Sequence, residues 1–140
     1  MADIVFNRAL YYIEGDDIEL HLIGTYKAED SVSPFYCWDI ILKSNNVDVG
    51  NISFRIGKNY HSAYNDSIGY EVDEEYKGYH YALLACQAVL KVVQYHKMEK
   101  INLTYDYDNV ASYKTIEKTW SKIGRRSITF QGLLILLRWN

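Results

Sequence analysis

An α/β domain, built on a mixed but mostly antiparallel central sheet with flanking helices, is the fold class that this chain of 140 residues predicts. Three observations carry the expectation. The first half is a succession of short runs in which apolar and polar residues alternate, the pattern of half-buried strands. The period then changes to a helical one over Tyr81–His96, between two further strand-like runs, which is a βαβ arrangement. A second capped helical stretch follows, and two short apolar runs end the sequence.

In chain order, Ile18-Glu-Leu-His-Leu-Ile23 alternates, and Phe35-Tyr-Cys-Trp-Asp-Ile-Ile-Leu42 is rich in aromatic and branched residues. Val47 to Ile56 alternates through Val49, Ile52, Phe54 and Ile56, and Asn45-Asn46 between the last two runs is a hairpin signal. Residues 57–67, with Asn59, Asn65 and Asp66, read as a loop before a strand over Ile68 to Asp73. The helix from Tyr81 to about His96 places Leu83, Cys86, Leu90 and Val93 on one stripe, with Ala85, Val89 and Val92 beside it. Gln87, Lys91 and Gln94 fall opposite, so one face is buried. Ile101 to Tyr105 is a strand parallel to the one before the helix by the usual crossover rule. Asp108 or Asn109 caps a helix to about Thr119, and Ser127–Phe130 and Leu133–Trp139 close the sheet around Gln131-Gly132.

Composition bounds the rest. A chain of this size can bury roughly two-thirds of the surface its unfolded form exposes, so a single domain over 1–140 with an unstapled core is expected. Net charge is −3, from 15 basic and 18 acidic residues mixed along the chain, which gives no basic stripe for nucleic acid. Apolar runs such as Leu133 to Leu137 are far short of the ~18 residues a membrane helix needs. Cys37 and Cys86 sit on apolar runs and the first residues lack a basic-then-apolar leader pattern, so a reduced, cytoplasmic protein is expected. His21, His61, His80 and His96 show no metal spacing, and no metal is expected.

The chemistry concentrates at the turn from strand to helix, Gly69-Tyr-Glu-Val72 followed by Lys77-Gly-Tyr-His-Tyr-Ala82. A helix entered by such a loop aims several unpaired N–H groups at one spot, which suits a phosphate. Taken alone, six residues of this kind are more often an ordinary strand-to-helix turn bent at Gly78. Context changes the balance. Asp108-Asn-Val-Ala-Ser112 opens the second helix, and Val49-Gly-Asn-Ile52 lies on an earlier strand. Together, in this order, these segments resemble the GNAT superfamily of acetyl-CoA-dependent N-acetyltransferases, and within it the branch that acetylates ribosomal proteins and peptide N-termini. The resemblance covers roughly Ile18 to Lys118.

That resemblance implies a GNAT-like fold and acetyl-CoA as the acetyl donor. It implies that backbone groups of Tyr70 and Val72 pair with pantetheine as an added strand would. Lys77, Gly78, Tyr79, His80, Tyr81 and Ala82 would hold the pyrophosphate. His80 stands where the family's loop has glycine, and a side chain there could crowd the backbone's approach unless its dihedrals are ordinary. Asn109 would contact the pantetheine arm, and Ser112 would hydrogen-bond or protonate the leaving thiolate, although both residues also suit simple helix capping. Many members have a tyrosine acid where this chain has Ile116. Glu71 is the candidate base, against a nearly even chance of being a solvated strand glutamate.

The implied function is transfer of acetyl to a primary amine, on a peptide or protein N-terminus or a small molecule, directly within a ternary complex. The alternatives are a non-catalytic acyl-CoA-binding module, or a dimerising domain with a degenerate site. Beyond Gly124 nothing resembles the family, and Arg125 to Asn140 either completes the sheet or leaves an apolar edge that pairs in a homodimer.

Overall fold

A computed structural model describes residues 5–27, 34–56, 68–96, 100–103, 124–129 and 132–137. Strands β1 (Tyr12–Glu14), β2 (Ile18–Tyr26), β3 (Phe35–Leu42), β4 (Asp48–Arg55) and β5 (Ile68–Val72) form an antiparallel succession. Helix α1 (Tyr81–His96) leads to β6 (Lys100–Leu103), and β7 (Gly124–Thr129) and β8 (Gly132–Leu137) follow. The sheet order is β1-β2-β3-β4-β5-β6-β8-β7. Its parallel step is β5 to β6, as a strand-helix-strand crossover requires, seen at Ile68 opposite Leu103. Going onward from Ile68 along β5, the positions that would face it on β6 lie outside the described residues.

The core lies between this sheet and α1. Every second residue of β3, Tyr36, Trp38, Ile40 and Leu42, is buried, and Ile52, Phe54 and Ile68 extend the same layer. Against it α1 lays Ala85, Cys86, Ala88, Val89, Val92 and Val93, while Gln87, Lys91 and Gln94 face outward. Tyr36 and Trp38 stack with centroids 5.2 Å apart and planes 7° from parallel. Truncating a fully buried Trp such as Trp38 to alanine typically costs about 3–5 kcal/mol.

The hairpin at Asn45-Asn46 is present. Asn46 takes φ 60°, the Asn45 side chain accepts from Val47 N–H at 3.2 Å, and Asn46 N–H bonds the Leu42 carbonyl at 2.9 Å. Asparagine tolerates this left-handed backbone better than most residues. At the far end β8 lies between β6 and β7, so the apolar Leu133–Leu137 run completes the sheet and β7, with Arg125 and Arg126, forms the edge. The second helix expected to about Thr119 lies outside the described residues.

Candidate active site

β4 fixes where the site begins. Its burial pattern breaks at Val49-Gly50, which are both buried, and the β3–β4 register shifts at the same place. Gly50 lies opposite Val72, and a Cβ there would overlap the carbonyl oxygen of Glu71 and sit 2.9 Å from Val72 Cα. Only glycine lets β5 come this close. Glycine at this point therefore sets the height of Glu71 above the sheet.

β5 then separates two roles by its own alternation. Asp73 N–H donates to the Val49 carbonyl at 2.8 Å, so the backbone groups of Gly69 and Glu71 point towards β4 as well. Those of Tyr70 and Val72 are directed to the opposite side, along which β6 runs. The side chains alternate across the faces instead. Tyr70 and Val72 pack towards the core with Ile68, and Glu71 is exposed on the face away from α1.

A single 3₁₀ turn over Glu74–Tyr76 carries the chain from β5 to the loop, closed by Tyr76 N–H to the Asp73 carbonyl and Lys77 N–H to the Glu74 carbonyl. Gly78 has φ 94° and open space where a Cβ would stand, so its requirement is conformational and not steric. His80 has φ 66°. Its dihedrals are thus left-handed and not ordinary helical ones, and a β-carbon in that region costs roughly 1–2 kcal/mol. The glycine expected at this position by resemblance has a physical reason, and His80 bears the strain of its absence.

α1 starts at Tyr81, and its first closing bond runs from Leu84 N–H to the His80 carbonyl at 3.1 Å. The N–H groups of Tyr81, Ala82 and Leu83 precede that bond and point out of the helix end beside the exposed loop. The ammonium of Lys77 meets Glu74 at 2.9 Å, both well exposed, so an anion at the helix end must compete with that carboxylate. Tyr79 stacks on Tyr81 at 5.6 Å, and Tyr76 approaches Tyr81 at 6.4 Å. Of this tyrosine trio beside the helix end, Tyr79 and Tyr81 belong to the loop expected from sequence and Tyr76 was missed; the spacing 76, 79, 81 was its available signal.

Sheet register reveals a second feature that sequence could not. Tyr12, His21, Asp39, Asn51 and Glu71 are successive cross-strand partners, forming one row over β1 to β5. His21 Nε2 pairs with Glu19 at 3.0 Å. Burial, and a hydrogen bond to Asp48, push the Asp39 carboxyl up, while Tyr12 and His21 hydrogen-bond Glu19 and pull its carboxyl down. Neither cysteine is activated: burial pushes Cys86 up to about 12 and raises Cys37 as well. Both are free thiols. Among the described residues no group of His, Cys, Asp and Glu is placed to hold a metal ion, and no helix is long and apolar enough to cross a membrane. Asn109, Ser112 and Ile116 lie outside the described residues.

Fold and strand-loop-helix layout have their counterpart among the acetyltransferases: the sequence profile described as acetyltransferase (GNAT) domain matches residues 12–119. The chain belongs to that family. No curated protein sequence matches it. Among solved structures it is similar to a GNAT-family acetyltransferase from Bacillus anthracis, at 26% identity and a TM-score of 0.51, over 71% of this chain and 65% of that one. A candidate ribosomal-protein-serine acetyltransferase from Vibrio cholerae aligns at 16% identity and a TM-score of 0.49, over 74% of this chain and 64% of that one. The chain thus spans just under two-thirds of the length of either structure.

Proposed function

We propose that this protein, as a single domain, moves an acetyl group from acetyl-CoA to a primary amine by direct transfer in a ternary complex. The observation that carries the reading is the direct run from β5 through the Lys77–His80 loop into an exposed helix end with uncommitted N–H donors. The residues present fit the cofactor. Helix N–H groups of Tyr81 and Ala82, with Lys77 and the backbone of Gly78, Tyr79 and His80, supply donors and positive potential for a pyrophosphate. Backbone groups of Tyr70 and Val72 face the side on which an extended amide arm would add to β5.

Acetyl-CoA, when bound, supplies a thioester whose carbonyl is open to attack by a neutral amine. Glu71, exposed on the face away from α1, is the proposed base that takes the ammonium proton at its carboxylate, directly or through one water. Ser112 Oγ is the proposed proton source for the departing sulfur, and Asn109 a contact to the pantetheine arm. The raised thiols of Cys37 and Cys86 argue for direct transfer without an acyl-cysteine. A peptide or protein N-terminus is the favoured acceptor, from the Asn109-x-x-Ser112 resemblance, with a small amine next; a cytoplasmic setting is part of the same reading.

The test is acetyl transfer across a panel of N-terminal peptides and small amines with Glu71→Gln beside wild type. Turnover should drop by about 10²-fold or more while acetyl-CoA affinity stays the same. Equal turnover of the two proteins across pH would remove Glu71 as base. Binding of acetyl-CoA with no transfer to any acceptor would favour the non-catalytic acyl-CoA module.

A further inference from the structure

Residues 5–11 precede the family match at residue 12, yet they are tied down at three points. Asn7 N–H donates to Tyr36 Oη at 2.9 Å, Trp38 Nε1–H donates to the Leu10 carbonyl at 3.0 Å, and Leu22 N–H donates to the Tyr11 carbonyl at 2.9 Å. Phe6 and Tyr11 set their rings edge-on to Tyr36, with centroids at 4.9 and 6.4 Å. Tyr36 is wholly buried, and its hydroxyl has one more partner, His96 Nε2 at 2.8 Å, on the last residue of α1.

The hydroxyl's inventory decides the protonation states. Oη accepts from Asn7 N–H, so its own proton goes to Nε2, which must then be the unprotonated nitrogen of a neutral imidazole. A proton arriving on His96 occupies Nε2. Oη must then accept from two donors, and its own proton is left without an acceptor in a buried place. We propose that the Tyr36–His96 hydrogen bond is an acid-sensitive latch: it holds segment 5–11 on the sheet while the imidazole is neutral and releases it when His96 takes a proton.

The surroundings favour the closed, neutral form. From β3, β4 and its own helix the ring meets Tyr36, Phe54 at 6.4 Å and Tyr95 at 4.9 Å. The titratable neighbours are the two tyrosines, and among the described residues the ring forms no ion pair with a carboxylate. Burial lowers the His96 pKa from its ordinary value, despite the helix C-terminal dipole that would favour a cation. An open segment frees the ring to titrate normally, so opening is coupled to uptake of one proton. The sign follows: the latch weakens as pH falls below about 6.5 and levels off below the closed-state value.

Amide hydrogen exchange on the folded protein from about pH 7.5 to about pH 5, corrected for intrinsic rates, tests this. Protection of Asn7 and Leu22 amides should hold above about pH 6.5 and fall by up to about tenfold per pH unit below it, and Leu42 and Asp73 amides should hold theirs throughout. His96→Gln should flatten the dependence. A flat profile for Asn7 in wild type would overturn the latch. So would a parallel loss at Leu42 and Asp73, which reports general unfolding, or an unchanged pH dependence in a folded His96→Gln protein.

Discussion

The sheet-and-helix core and the Asp73–His80 segment are neighbours in the chain and opposites in what specifies them. In the core, Trp38, Tyr36, Phe54 and six isoleucines and leucines are fully enclosed, and each position is set by burial. In the segment, no residue is buried, two residues have positive φ, and the Lys77–Glu74 ion pair lies in solvent. Shape of the backbone and direction of N–H groups do there what side-chain volume does in the core. Substitutions in the two regions should therefore fail differently, one through folding and the other through ligand recognition.

The sharpest way to break the contrast is Gly50, the core position that supports the site. Gly50→Ala should cost about 3 kcal/mol or prevent folding, because its methyl meets the backbone of Glu71 and Val72; urea denaturation measures it. A stable Gly50→Ala protein would mean β5 is not held at this height. His80→Gly should do the reverse of most loop changes and raise stability by about 1 kcal/mol, by relieving a left-handed β-carbon. A loss of stability would show that the imidazole contributes more than its backbone strain.

The smallest expected effect lies in the Asp39 row. Asp39 has a raised folded pKa, so its contribution to stability is present at low pH and is lost as pH rises through that value. Asp39→Asn should thus raise the melting temperature slightly at neutral pH and not at pH 3, with screening at this half-exposed site keeping the gain to a few degrees at most. An equal change at both pH values would assign the effect to packing instead of charge.

Much of the core could be read from periodicity. α1 spans the same Tyr81–His96 that its apolar stripe marks, and β3 the same Phe35–Leu42, because both elements have one enclosed face. β1 was missed, since three residues with a single buried Ile13 carry too little pattern. β2 runs on to Tyr26, past Ile23, because an irregularity between Leu22 and Gly24 shifts the alternation. β7 begins at Gly124, where Arg125-Arg126 hides a strand paired on one side.

The candidate site was legible in a different way. The loop residues Lys77 to Ala82 stood out by composition and resemblance, but the left-handed backbone of His80 is a tertiary outcome. So are the Lys77–Glu74 pair and the row that joins Glu71 to Asn51 and Asp39, which needs the register of five strands. Val49-Gly50 stands out in the sequence only by resemblance; its reason, the approach of β5, belongs to the sheet.

The most direct test of the account is the melting temperature of wild type and Gly78→Glu with and without acetyl-CoA, using a pantetheine fragment without the pyrophosphate as control. A ligand that binds only the folded state must raise that temperature, by an equivalent of about 2.7 kcal/mol at a hundredfold excess over Kd. Wild type should shift with acetyl-CoA and hardly with the fragment, and Gly78→Glu should not shift, because a carboxylate beside the helix end repels the phosphates. No shift of wild type at millimolar acetyl-CoA, or the same shift in both proteins, would contradict the assignment of the loop.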